Sequence, residues 1–366
     1  MGERAVAVVT GATAGVGRAT ARLLARRGFD VALVARGQAG LEATVKDVQT
    51  LGARALPLSV DVCDFGEVDG AASRVESELG PIELWINDAM TTVFAPAWEV
   101  EPEAFRRAVE VTFLGQVWGT LAALKRMRPQ DHGTIVNVGS ALAFVGIPLQ
   151  SPYCASKFAC RGFFESVRAE LVHTGSHVTM AMVHLPAVNT PQFDWCDTTL
   201  DRKPQPVAPI YQPELCAAHI VRSALSGRST RVLGSWNRML VIASRLWPAF
   251  ANQFAAIDAW DAQLSGEPID HGRRANLFTA VDGEHDHGSR GSFGDRAGGF
   301  LDASFLETLP ATAKNAGTAA AKTFAEYAQR VTRLVDRASG GRVGIAMTGL
   351  QGRARPQHPD EPDAPL

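Results

Sequence analysis

Six short apolar runs, rich in β-branched residues, recur along the first half of this chain: AVAVVT (5–10), VALVA (31–35), ALPLSV (55–60), IELWI (82–86), TIVNV (134–138) and VTMAMV (178–183). Each has the length of a strand and few polar residues, so both of its faces must be covered. The segments between them run at helical period. Over 105–124, for example, Phe105, Val109, Thr112, Phe113, Gln116, Val117, Leu121 and Leu124 fall near one stripe. Parallel strands need a crossover between them, and a crossing helix covers the sheet it crosses.

Six such strands predict an α/β fold with a doubly wound, mostly parallel sheet of Rossmann type and right-handed crossovers. The alternation weakens after about residue 262. Residues 266–300 carry eight glycines, few apolar residues and the cluster GEHDHG, which predicts a surface loop or disordered linker. Residues 311–338 regain helical character, with Phe324, Tyr327, Val331 and Leu334 on one side and Lys322, Arg330, Arg333 and Arg337 beside them. Docking of that helix on the parent domain or a partner subunit is expected rather than membrane-surface association. From Arg353 onward the chain is rich in Pro and charge, as a mobile tail is. The expected organisation is a domain over 1–262 and a C-terminal, partly disordered extension over 263–366.

Composition narrows the class. At 366 residues and 46% apolar the chain can close a core, and a net charge of -2 gives no electrostatic attraction for nucleic acid. Five cysteines stand scattered without a CxxC pair, as reduced thiols in a cytoplasmic protein do. No leader is expected ahead of the first strand, and no apolar run reaches the length of a membrane span. His271, His285 and His287, near Asp286, lie in a glycine-rich loop without the scaffold a zinc site needs, so no metal is expected.

The first strand ends in TGATAGVG, Thr10 to Gly17, and the helix-forming run RATARLLARRG follows at once. Gly11, Gly15 and Gly17 let the backbone turn and approach a ligand, and a helix N-terminus offers N–H groups and a positive dipole end to a pyrophosphate. This context favours dinucleotide binding over a bare tight turn. The second strand ends in Ala35 and Arg36, where an NAD site usually places an acid for the ribose 2′-hydroxyl. A guanidinium there favours NADP(H), with NAD(H) as the second choice, and Thr13 adds a hydroxyl. The competing reading of Arg36 is a solvated surface arginine.

Taken in order, several elements resemble the short-chain dehydrogenase/reductase family over roughly residues 5–235. They are Thr10–Gly17, Asp61-Val62 after the third strand, Asn87-Asp88-Ala89 after the fourth, Ser140 after the fifth, and Tyr153 and Lys157 in SPYCASK. The resemblance implies that Tyr153 is the acid/base, that Ser140 orients the substrate oxygen, and that Lys157 grips the nicotinamide ribose. Free Tyr and Lys have pKa values of about 10 and about 10.4, and residues four apart share a helix face. Lys157 is therefore expected to lower the phenol's pKa toward working pH. The resemblance also implies cofactor contacts from Gly11, Thr13, Gly15, Val16, Gly17, Arg36, Asp61, Val62, Asn87, Ala89, Tyr153, Lys157, Pro186 and Thr190. For Asp61 a helix N-cap is an equal alternative.

Three departures stand out. Thr112 replaces the usual asparagine of the long helix, Asp88 and Met90 make NDAM of the usual NNAG, and Pro186-Ala187 replaces Pro-Gly. On the substrate side, Leu142, Phe144, Val145, Phe193 and Trp195 would form an apolar wall, or would pack the loop against the domain. The expected activity is NADP(H)-dependent interconversion of a small-molecule ketone or aldehyde with the alcohol, in a homo-oligomer. The rivals are a dinucleotide-binding sensor or scaffold, and a reductase of carrier-bound acyl groups.

Overall fold

The six runs become strands β1 (Val6–Thr10), β2 (Asp30–Ala35), β3 (Ala55–Ser59), β4 (Ile82–Asn87), β5 (Thr134–Ser140) and β6 (Thr179–Leu185); a short strand, β7 (Thr230–Val232), joins at the edge. A computed structural model of the chain describes residues 4–227, 230–246, 256 and 259–297. The seven strands lie in the order β7-β6-β5-β4-β1-β2-β3, and every neighbouring pair is parallel.

Successive residues of a strand point to opposite faces, and here both faces are covered. On one side Val9, Leu33, Val136 and Val183 pack with Leu24 of α1 (Gly15–Arg26), Val48 of α2 (Gln38–Thr50) and Ile220 of α7 (Pro213–Ser226). On the other, Val8, Trp85, Ile135 and Met182 pack with Val75 of α3 (Phe65–Glu78), Ala122 of α5 (Gly115–Gln130) and Phe164 of α6 (Ser151–His173). Between α4 (Pro102–Val109) and α5 lies a π-helical turn, Glu110–Leu114, holding Thr112.

The chain winds outward from β1 to β3, then returns to start again at β4. The connections that leave β1 and β4 therefore depart in opposite directions and open a crevice at the carboxyl ends of those strands, the place where such sheets bind ligands.

Of the two readings of 266–300, surface loop or disordered linker, the described part is a loop packed on the domain. Leu264–Pro268 pairs antiparallel with Arg202–Pro204. Leu277 is buried with Val93, Ala95, Ala104 and Ala108, and Phe293 packs edge-on to Phe193 beside Phe94. The first unit of the chain spans Met1–Pro310 and the second Ala311–Leu366. Composition alone does not decide between loop and linker here, because arginines of the sheet domain hydrogen-bond its main-chain carbonyls. The expected helix over 311–338 and the tail from Arg353 lie outside the described residues. Among the described residues no helix is long and apolar enough to cross a membrane.

Candidate active site

The crevice is framed by the ends of β1 and β4. The Thr10 hydroxyl accepts the main-chain N–H of Asp88 (3.0 Å) and of Ala89 (3.1 Å), tying the two strand ends together. Gly11 and Gly15 have φ of +69° and +55°, and a Cβ on Gly11 would come 2.9 Å from Ala89 Cα; only glycine meets both demands. At the start of α1, Ala14 gives no side-chain cap and the first turn contains no acid. A helix end of this kind suits a pyrophosphate, as the loop sequence predicts. Thr13 and Val16 are buried beneath the loop.

Ser140 is the last residue of β5, and Tyr153 and Lys157 lie on the first two turns of α6. The structure brings the three together. The Ser140 hydroxyl lies close enough to the Tyr153 phenol to act on its pKa, and it accepts the N–H of Leu142 at 3.1 Å. Lys157 is buried; its Nζ donates to Val138 O at 2.8 Å and lies 5.6 Å from the Tyr153 ring centroid. The expected tuning of the phenol is corrected, however. Burial pushes Tyr153 above its ordinary pKa, and the Ser140 hydroxyl only draws it partly back. Burial likewise lowers Lys157, which weakens the cation asked to acidify the phenol.

Two neighbours of this set were not singled out from sequence as part of it. His184 Nδ1 lies 3.0 Å from Ser140 O; a carbonyl can only accept, so Nδ1 carries the hydrogen. Burial holds this imidazole down at about 4, which keeps it neutral and able to fix the Ser140 main chain. Asp88, noted only as a departure, is buried against the loop, where it accepts the Gly17 N–H. Burial pushes its carboxyl up to about 7 against the opposing charge of Lys157.

Several other expected residues have partners within the chain. The Asn87 side chain points into the domain: its Oδ1 accepts Trp85 Nε1 at 2.8 Å, and its Nδ2 donates to Asn137 Oδ1 at 2.8 Å. Only its main chain is left for the crevice. Val62 belongs to the core, packed where a Cβ on Gly115 would stand. Asp61 accepts from Arg107 and from the Cys63 N–H; it is not a helix cap, since Asp64 caps α3 by accepting the Glu67 N–H. The Thr112 hydroxyl donates to Thr91 O at 2.8 Å and accepts Thr91 N at 3.0 Å. Pro186 precedes a two-residue strand, Ala187–Val188, and Thr190 packs against Gly15.

On the substrate side, Phe193 is 5% exposed and is a core residue of its loop, so it lines no open wall. Phe144 lies under the Arg161 guanidinium at 4.3 Å and edge-on to His184. Leu142 and Trp195 are half-buried, and Val145 is buried.

Arg36 is neither free nor solvated. Its guanidinium donates to the carbonyl oxygens of Asn276 (3.1 Å), Leu277 (3.3 Å) and Phe278 (3.0 Å). Arg107 Nε donates to the same Leu277 carbonyl at 3.1 Å. Further along, Arg18 of α1 pairs with Asp47 and Asp286, and Gly288 O accepts the Gly15 N–H at 3.3 Å. Residues 276–291 thus form a strap along the dinucleotide side of the crevice. No motif announces it, because the strap is held mainly through its backbone.

The chain is 29% identical over 286 residues to an uncharacterized oxidoreductase, YxnA, of Bacillus subtilis (strain 168), covering 78% of this chain and 80% of that protein. It is 30% identical over 241 residues to 3-dehydrosphinganine reductase of Danio rerio, covering 64% and 72%. An alcohol dehydrogenase from the archaeon Thermococcus sibiricus, solved in complex with 5-hydroxy-NADP, superposes with a TM-score of 0.55 at 25% identity, covering 63% of this chain and 96% of that one. Residues 5–198 match the family described as short chain dehydrogenase. That span holds the glycine loop, the β4 turn and the Ser140, Tyr153 and Lys157 set, and the chain belongs to the short-chain dehydrogenase family.

Proposed function

We propose that this protein is an NADP(H)-using oxidoreductase that interconverts a ketone or aldehyde with the corresponding alcohol on a lipophilic small molecule. The observation that carries this reading is the meeting of Ser140, at the end of β5, with Tyr153 and buried Lys157 on one face of α6. A substrate oxygen placed between the two hydroxyls would be held by Ser140 and exchange its proton with Tyr153. The bound dinucleotide would supply or take the hydride. A phenol held above its ordinary pKa stays protonated at neutral pH, which suits the reducing direction, where Tyr153 acts as the acid.

Arg36 at the end of β2 supports NADP(H) within this reading, since a guanidinium released from the strap carbonyls would fork onto a 2′-phosphate. Half-buried Leu142 and Trp195 support an apolar substrate, and the relative named 3-dehydrosphinganine reductase fits that class. Assembly through the long helices is part of the proposal: Leu121 of α5 and Phe158 and Val172 of α6 are exposed apolar side chains.

The test is a panel of ketones and aldehydes with NADPH and NADH, run on the wild type and on Tyr153→Phe. Turnover that falls by about 10²–10⁴-fold in the variant is expected, the usual worth of a positioned acid. Dinucleotide binding with no turnover of any substrate, and no effect of Tyr153→Phe, would instead mark a sensor.

A further inference from the structure

The place beside Arg36 where a ribose 2′-phosphate would be received already holds an anion that belongs to the chain itself. Asp282 is 7% exposed. Its carboxylate rests on the main chain of Gly37 and Gly40, so that a Cβ on either glycine would run into it, and a Cβ on Gly40 would also come 2.7 Å from Thr13 Cβ. Gly37 immediately precedes α2, whose N-terminus has no side-chain cap and no acid of its own in the first turn. Asp282 therefore lies at a positive helix end. It also acts electrostatically on the Arg36 guanidinium, whose N–H groups are turned to the strap carbonyls.

The rest of the strap repeats the pattern. Asp286 meets Arg18 near the start of α1, and Gly288 O meets the N–H of Gly15 in the loop. Two carboxylates and a carbonyl are thus set against two cations and a loop amide, the partners that the phosphate groups of a dinucleotide would use. A 2′-phosphate carries close to two negative charges at neutral pH, so it must displace Asp282 or stand beside it. A 2′-hydroxyl, by contrast, donates a hydrogen bond to a carboxylate.

We infer that Asp282 is an internal competitor for the 2′-phosphate, setting the choice between NADP(H) and NAD(H) from outside the segment that normally sets it. This rests on the dinucleotide-dependent reading proposed above. The role of Arg36 is unchanged: it equips the site for NADP(H), and Asp282 opposes that equipment.

The experiment is a fluorescence titration of the full-length protein with NADPH and with NADH, on the wild type, Asp282→Asn and Asp286→Asn. Asp282→Asn keeps the shape and removes the charge. It is expected to tighten NADPH by about tenfold, the scale of one partly screened like-charge contact, and to leave NADH equal or weaker. Asp286→Asn loosens the strap at a different cation and controls for detachment, so it should move both affinities alike. The inference is overturned if Asp282→Asn leaves the NADPH-to-NADH ratio at its wild-type value, whether both affinities move or neither does. Failure of every protein to bind either dinucleotide would remove the dinucleotide reading and the inference with it, an outcome distinct from binding with an unchanged ratio.

Discussion

The central sheet and the segment 264–297 both cover polar main chain, by opposite means. In the sheet, strand hydrogen bonds satisfy one another and side chains such as Leu33, Trp85 and Ile86 are fully buried, so position is set by apolar packing on two faces. In the segment 264–297 the apolar anchors are few, with Leu264, Leu277 and Phe293 the largest. Its carbonyls are met by guanidinium groups from Arg36 and Arg107, and Arg273 within it reaches back to the carbonyls of Asp194 and Cys196. The contrast teaches that a glycine-rich stretch can be well placed without a core of its own. It also implies that such a stretch opens at lower cost than the sheet.

The largest expected difference between the two regions is in chemistry. Tyr153→Phe, at the sheet's end of the crevice, should remove about 10²–10⁴-fold of kcat, while hydrogen exchange over residues 270–297 stays as in the wild type. A variant within the strap that cost as much in kcat at saturating dinucleotide would break the division of labour. Next comes stability. Leu33→Ala should cost about 2–5 kcal/mol of global stability, read as a lower midpoint in urea with an unchanged slope.

Leu277→Ala sharpens the contrast. Its cost, about 2–5 kcal/mol for a buried leucine, should fall on the strap's attachment. The expected signature is faster amide exchange over 273–290 with no change in β1 or β4. A matching loss of protection in β1 would show that the strap and the sheet open as one unit.

The smallest effect is a pH dependence. Folding holds the Asp88 carboxyl up to about 7, whereas an unfolded chain titrates an aspartate at about 3.9. Between those limits the folded protein carries the extra proton, so stability falls as pH rises through that window. Asp88→Asn should flatten the Tm-against-pH curve there and raise Tm at pH 8 by a few degrees. A curve parallel to the wild type's would assign the slope to other groups.

That Ser140, Tyr153 and Lys157 come together was legible in the sequence, because each sits close to an element boundary that the sequence announces. Asn87 was only half legible: it stands at the end of β4, yet its side chain serves the sheet–helix junction, bonding Asn137 and Trp85. The raised pKa of Tyr153 was not legible at all. An i, i+4 spacing gives the proximity of a lysine but not the burial that acts on both groups.

Sequence by itself determined the alternation of strand and helix, the glycine turn at the end of β1 and the order of the polar residues at the strand ends. All of these are encoded by neighbours a few residues apart, through side-chain period and backbone freedom. Only the tertiary structure decided what meets Arg36, that Asp282 rests on Gly37 and Gly40, and that His184 steadies Ser140. Those contacts join residues far apart in the chain, and several are made by main-chain carbonyls, a group every residue carries and no side-chain pattern reveals.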